Sequence, residues 1–516
     1  MLNRLEGNVV EYGWRRALVT IGIILATLLE IVDVTIVNVA LPNIQGNFGA
    51  SIDQATWIVT GYIIANVIVI PLTPWLQVRF GRRQYYLASI VIFTLASVMC
   101  GLSGNLEQLV FWRIIQGLGG GGLISTSQAI LRETYPMGEQ GKAAGFFAMG
   151  VIVGPTLGPL LGGLLTDNFS WRWAFFVNVP FGIAALLIVA LLLRNPAKPR
   201  KDLKIDVVGL MLLVTGIGSL QYVLGQGQQK DWFGDASIVV FSALAVAGLI
   251  AFTLWELYGT KNPIVDLHIL RYRSVAAGSI LGMVLGISLY GTVLILPQYV
   301  QNSLGFTATL SGELITVRAL AVMLCTPPIA ALSQRGKIDT RIATGIGFFL
   351  VGVSNLLLAQ VTTTQSEFWS FGLPLILSGI GLSQIFVPLT LSVLSGVPAS
   401  EVPKASAFFN LSRQLGGSIA TAVLVTMLVR SNAAHQANIA GSVTLAQPPV
   451  AQFMQREGGP HSLNALNELY RIVTQQSLVL AYADVARATA LVSIVLCPLV
   501  FLLRRPKRPA AAVAAD

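Results

Sequence analysis

Mostly apolar runs of about 20 residues, each long enough for a helix to cross a bilayer, recur fourteen times along the 516-residue chain. They lie near 17–40, 56–77, 84–103, 108–130, 142–166, 173–193, 206–225, 236–256, 274–299, 310–333, 341–361, 368–395, 404–429 and 484–503. A segment crossing lipid must satisfy its own backbone polar groups, and runs of this length do so as helices. The expected class is an all-α polytopic membrane protein. Composition agrees, with 54% apolar and 11% charged residues against roughly 25% charged in soluble domains. Mean hydropathy is +0.72. An ordinary soluble enzyme, a disordered chain, a collagen and a coiled coil are all excluded. The first run is too long for a signal-peptide core and is interrupted by Glu30 and Asp33, so it reads as a retained span.

Orientation follows from the basic residues. An even number of spans puts both termini on one side, and the segments on that side carry 24 Lys and Arg against 6 on the other. The asymmetry predicts cytoplasmic termini. It also explains the pI of 9.6 as topology, so no nucleic-acid partner is expected.

The runs divide the chain into 1–195 with six spans, 196–260 with two, and 261–516 with six. The six-span segments share a faint repeat, Leu76-Gln77-Val78-Arg79-Phe80-Gly81 and Leu332-Ser333-Gln334-Arg335-Gly336, each at a predicted cytoplasmic turn. A polar connection at about 430–483 faces the outer side. It reads either as a long loop or as an amphipathic helix, Leu463 to Leu480, lying on the bundle.

Charges inside hydrocarbon cost several kcal/mol each and are functional candidates. Six fall well inside the runs: Glu30, Asp33, Arg113, Glu313, Arg318 and Arg413. Three acids and three bases can neutralise one another. Glu30 and Asp33 stand at i and i+3 on one helix face, an arrangement in which mutual repulsion favours holding a proton. Arg113 is placed either to bias an acid's proton affinity or to act as its static partner. Asn38 and Gln116 add polar groups to the same helices, and with Glu30, Asp33, Glu313, Arg318 and Arg413 they make the candidate substrate cavity.

Other signals are weaker. Gly117 to Gly122 satisfies G-x-G-x-x-G but lies in a span, where small residues serve close helix contact. No phosphate-binding G-x-x-x-x-G-K-[ST] occurs, so ATP-driven pumping is not expected. Cys100, Cys325 and Cys497 sit in apolar runs, and His268, His435 and His461 lack ligand spacing, so no metal site or cofactor is expected. A polytopic membrane enzyme would need a clustered catalytic set and is a distant alternative. The fifth run is more specific: Gly150, Gly154, Gly158 and Gly162 form one stripe, with Gly163 beside it and Pro155 and Pro159 within it. Such a helix packs closely and bends.

Taken together, Asp33-Val34-Thr35-Ile36-Val37-Asn38-Val39-Ala40-Leu41-Pro42, the Arg113 run, the Gly/Pro stripe and Trp171-Arg172-Trp173 through Asn178-Val179-Pro180-Phe181-Gly182 resemble the fourteen-span drug:proton antiporters of the major facilitator superfamily. The EmrB/QacA branch is most similar, down to the long connection before the last span. The resemblance covers nearly the whole chain. It implies a major facilitator fold of two six-helix halves with two extra central helices. It also implies Asp33 as proton-coupling acid, Arg113 as the family's fourth-helix arginine, and Gly150 to Gly163 as the antiporter helix; the Glu30 candidacy for proton coupling rests on its place beside Asp33 on the first run. Arg79, Gly81, Arg82 and Arg83 then belong to the cytoplasmic gate loop. Pro74 stands there in place of the usual glycine, and Val78 in place of an acid. Asn410-Leu411-Ser412-Arg413-Gln414-Leu415-Gly416-Gly417 also looks like a family stretch.

The implied activity is proton-driven efflux of hydrophobic or amphipathic compounds from the bacterial inner membrane. The alternative is export of one metabolite, lipid or siderophore-like compound. The implied partners are small lipophilic substrates, protons and membrane lipid, together with an EmrA-like membrane-fusion adaptor and an outer-membrane channel.

Overall fold

The computed structural model describes residues 11–194, 205–260, 263–334, 338–457, 459 and 462–503. Arg335 and Gly336 of the second repeat turn lie outside them. No strand occurs among the described residues.

The helices are α1 (Gly13–Phe48), α2 (Ile52–Phe80), α3 (Arg82–Gly101), α4 (Leu106–Gly120), α5 (Leu123–Thr134), α6 (Gln140–Asn168), α7 (Trp173–Phe176), α8 (Asn178–Leu192), α9 (Val207–Gln226), α10 (Ala236–Leu254), α11 (Arg273–Asn302), α12 (Ala308–Gln334), α13 (Thr340–Val361), α14 (Gly372–Ser395), α15 (Val402–Ser442), α16 (Pro448–Arg456) and α17 (Leu463–Val495). Twelve helical segments among the described residues are long and apolar enough to cross a membrane. A further apolar run is divided between α4 and α5, and α11 holds the remaining one.

Local chemistry sets the boundaries. Ser51 caps α2 reciprocally with Gln54, while Asn105, Asp206, Asp235, Asp339 and Ser462 each accept a backbone N–H at the start of α4, α9, α10, α13 and α17. Gly81, at φ 87°, supports the sharp α2–α3 turn, a conformation costly for a side chain with Cβ.

Helices α1 to α8 pack mainly on one another, as do α11 to α15 and α17; α9 and α10 pair, with α9 also against α2 and α15. The first two groups meet where α6 packs on α12 and α14, and α15 on α2 and α5. One end is basic, where Arg15 donates to the carbonyl of Leu192, Arg82 pairs with Glu133, and Lys404 pairs with Asp266. Near that end the groups are tied together. Ser406 and Asn410 donate to Gln128 Oε1 at 2.5 and 2.8 Å, and the Phe147 and Phe386 rings lie 5.9 Å apart.

Of the two readings of the polar connection at about 430–483, the structure realises the helical one from Leu463, as a continuation of the last span, and fills most of the rest with helix too. α15 runs 41 residues to Ser442 and α17 begins at Leu463, so α15 alone is about 60 Å long. Asn432 accepts from Ser477, and Gln436 donates to Thr474. The two extensions therefore bond to each other as a hairpin, and the polar residues at helical spacing find partners between them.

Candidate functional site

Two acids on α1 are each held by a separate set of donors. Asp33 is fully buried and paired with the equally buried Arg113 of α4. Its Oδ1 accepts from Gln116 Nε2 at 2.8 Å and from Asn178 Nδ2 of α8 at 2.9 Å. Arg113 also donates to Gln116 Oε1 at 2.8 Å and to the Ile58 carbonyl at 3.0 Å, and its guanidinium lies 4.1 Å from the Tyr62 ring centre. A buried ion pair recovers its desolvation cost only when its remaining lone pairs and protons are bonded, and here both Asp33 oxygens and Arg113 Nε and Nη1 are.

Glu30 accepts from Asn66 Nδ2 at 2.9 Å and from the backbone N–H of Ile124 at 3.2 Å. That N–H is free because the fourth run breaks at Gly121–Gly122 and restarts as α5, whose N-terminal end then faces the carboxylate. The break sits where the chain is squeezed: a Cβ on Gly117 would stand 2.4 Å from the Tyr62 carbonyl oxygen, and one on Gly121 2.3 Å from that of Asn66. Although i and i+3, the acids diverge, Glu30 towards α2 and α5, Asp33 towards α4 and α8.

Glu30, Val34, Asn66, Pro155, Arg413 and Gln414 line a narrow cleft between α1 and α15, with about 20 Å³ of water-accessible space. Arg413 is 3% exposed, with no hydrogen-bond partner for Nε. The expected mutual neutralisation of six charges is realised directly only for Asp33 and Arg113. Glu30 and Arg413 face one cleft without a direct bond. Glu313 is exposed and stands apart from the buried acids. Arg318 is buried on α12, with neither Nε nor Nη2 partnered. Asn38 is exposed two turns beyond Glu30 on the same stripe of α1.

The glycine stripe of α6 packs on the face of α1 that carries Ile24, Ile31 and Thr35. A Cβ on Gly150 would lie 3.7 Å from Ile24, on Gly154 2.6 Å from Ile31, on Gly158 1.8 Å from Thr35 Oγ1, and on Gly162 3.1 Å from the Ile36 carbonyl. Pro155 and Pro159 are buried within the same helix, as is Gly163.

At the basic end, Gln77 Nε2 donates to Thr126 at 3.0 Å, Arg82 Nε donates to Gln77 Oε1 at 3.1 Å, and Arg82 Nη1 pairs with Glu133. Arg83 donates to the Ala190 carbonyl, and the Arg79 guanidinium lies 6.0 Å from the Phe80 ring centre. Val78 is exposed. Gln77 and Glu133, absent from the sequence-derived set, thus tie α2, α3 and α5 beside the position where the acid is missing. Asn66, Gln128 and Asn178 also escaped that set. Each is an amide inside an apolar run, and that was the available signal.

Such a site, with buried charges on bundled helices around a cleft and a bendable helix beside it, belongs to a multi-pass membrane transporter. The Major Facilitator Superfamily profile matches residues 23–421. The chain is 35% identical to the multidrug export protein EmrB of Escherichia coli K12, over 96% of both chains. It is 34% identical to the fatty acid resistance protein FarB of Neisseria gonorrhoeae, over 95% of this chain and 96% of that one. Among solved structures, the human organic anion transporter MFSD10 superposes with a TM-score of 0.57 at 14% identity, covering 93% of this chain and all of the other. A bacterial homologue of the lysosomal transporter Spinster gives 0.53 at 16%, covering 95% and 97%. The chain belongs to the major facilitator superfamily, in its EmrB-type branch. It is a multi-pass transporter of the inner membrane, not an enzyme.

Proposed function

We propose that the chain exports hydrophobic or amphipathic drugs and toxic compounds in exchange for protons, by alternating access between halves at 1–195 and 261–516, with 196–260 as two added helices. Fourteen spans and cytoplasmic termini complete this reading. The observation that carries it is the pair of buried, separately bonded carboxylates on α1, one of which shares a cleft with Arg413 on α15. The printed names of the EmrB relatives support the drug range.

In this reading Asp33 takes a proton from the outer side and substrate leaves. Its deprotonation towards the cytoplasm restores the loading state, with Arg113 stabilising the carboxylate. Glu30 carries a proton whose occupancy Arg413 senses across the cleft. Asn38, Gln116, Glu313 and Arg318 complete the cavity lining. The α6 stripe guides α1 as it moves, and Arg79, Gly81, Arg82 and Arg83 hold the cytoplasmic gate. The proton gradient drives the cycle without a cofactor. An EmrA-like adaptor and an outer-membrane channel would carry the compound onward.

A second reading, export of one lipid-like compound, draws on the FarB similarity. In energised inverted vesicles, a candidate drug accumulates and dissipates the proton gradient, and Asp33→Asn stops both. Intact coupling in that variant removes Asp33 from the mechanism. A susceptibility screen with and without an adaptor separates broad from single-compound export and tests the partner.

A further inference from the structure

A second chamber adjoins the Glu30–Arg413 cleft and shares Val34 and Gln414 with it. Its water-accessible space is about 90 Å³, room in this state for a compact group of a ligand and well under the roughly 300–1,000 Å³ of a site that encloses a whole drug-sized molecule. Its walls come from four helices: Val34 of α1, Thr60 of α2, Gln414, Ser418 and Thr421 of α15, and Gln221 and Gly225 of α9. Helix α9 belongs to the added pair, and it lies against both α2 and α15. The added pair thus does more than link two halves: it closes the chamber on one side and supplies polar groups to it.

None of the side chains lining the chamber is ionisable. Gln221 is 2% exposed, and its amide Nε2 has no hydrogen-bond partner. Buried amide donors in folded proteins are normally bonded, because one left without an acceptor forfeits what water would supply. A ligand oxygen or nitrogen acceptor resolves that deficit, whereas a cation would find no counter-charge. Thr421 already spends its hydroxyl proton on the Gly417 carbonyl, at 3.0 Å, which leaves Gln221 as the buried donor in need of a partner.

We propose that this chamber receives the acceptor-bearing group of an uncharged amphiphile, and that Gln221 on the added helix α9 determines that preference. The inference rests on the export reading above and refines its substrate class. Because the chamber shares two wall residues with the ionisable cleft, a ligand seated there contacts the same segment of α1 that holds Glu30 and Asp33. Neutral substrates are thereby read by the added helices, and protons by α1.

The test uses the purified full-length protein and radiolabelled chloramphenicol, an uncharged compound with amide-carbonyl and nitro acceptors, in a scintillation proximity binding assay. One lost hydrogen bond in a buried site weakens binding by about two- to tenfold, so Gln221→Leu raises the Kd by about fivefold with an unchanged unfolding midpoint. Gly225→Leu, whose new side chain enters the chamber beside Thr60, abolishes binding and serves if the first variant misfolds. Failure of the wild-type protein to bind, or a Kd within twofold of wild type in both variants, overturns the inference. The export reading fails separately. If chloramphenicol binds with this Gln221 dependence, yet reconstituted wild-type protein exchanges no compound for protons, the site stands and the antiport does not.

Discussion

Replacing Gly158 with alanine adds one methyl group at the tightest point between α6 and α1. Its Cβ would stand 1.8 Å from Thr35 Oγ1, 2.6 Å from Thr35 Cβ and 3.0 Å from the Ile36 backbone nitrogen. Rotating Thr35 moves only the first of these atoms. The other two are fixed to the helix, so α1 must move away by about 1 Å to restore ordinary contact near 3.5–4 Å. Overpacking of this kind costs about 1–3 kcal/mol in stability. Transport suffers more, because α1 carries Asp33 and Glu30, whose bonds to Gln116, Asn178 and Asn66 are 2.8–2.9 Å long and do not survive such a shift. A misplacement of that size costs on the order of 10²-fold in a positioned site.

Gly150→Ala is the internal control, since its new Cβ meets nothing closer than 3.7 Å. Proton-coupled drug uptake into inverted vesicles should fall by about two orders of magnitude for Gly158→Ala and stay within twofold for Gly150→Ala. Thr35→Gly combined with Gly158→Ala removes the two worst contacts and should recover part of the activity. Equal tolerance of alanine at 150 and 158, or no recovery in the double variant, refutes the close-contact argument.

Other consequences follow from the same geometry. Arg113→Met leaves the Asp33 carboxylate buried without its cation and should destabilise the purified protein by about 3–5 kcal/mol; adding Asp33→Asn should recover part of that loss in thermal unfolding, the non-additivity expected of direct partners. Glu133→Gln removes the acid that Arg82 binds at the basic end. A cysteine placed at Ser125, which is buried near the ties between α5 and α15, should then react faster with a maleimide added from the cytoplasmic side. Burial pushes the Asp266 carboxyl up, but the Lys404 ammonium at 2.8 Å and bonds from His268 outweigh it and hold the group below its ordinary value. Stability from this depressed acid is present above the ordinary carboxylate pKa of about 3.9 and is lost as the pH falls through the lower folded value. The acid limb of the unfolding midpoint between pH 7 and pH 3 should flatten in Asp266→Asn.

The helices were legible because an apolar run long enough to span lipid has few alternatives, and the Asp33–Arg113 pair because charges in such runs need each other. What lay beyond the sequence was direction. At i and i+3, Glu30 and Asp33 look like mutual neighbours, but the 60° between them suffices to send one to Asn66 and the start of α5, the other to Gln116 and Asn178. The amide partners are uncharged and do not stand out in a run such as Ile63-Ile64-Ala65-Asn66-Val67. The glycine cluster at 117–122 signalled close packing but not that α5 would restart there with its N–H groups turned to Glu30. Spacing cannot tell whether an arginine finds an acid, and Arg318 has its Nε and Nη2 unpartnered while Glu313 is exposed. The helix from Leu463 was one of two readings of 430–483, but the polar residues there hid the extension of α15 to Ser442, because their partners lie on the facing helix.

The central claim is that the carboxylates on α1 exchange protons against substrate. It is tested most directly by proton release from the purified protein when drug is added, followed with a pH indicator in weak buffer. The account predicts release in the wild type, a smaller release in Glu30→Gln, and none in Asp33→Asn despite retained drug binding. Drug binding with no proton release from the wild type at any pH between 6 and 8, or full release from Asp33→Asn, would contradict it.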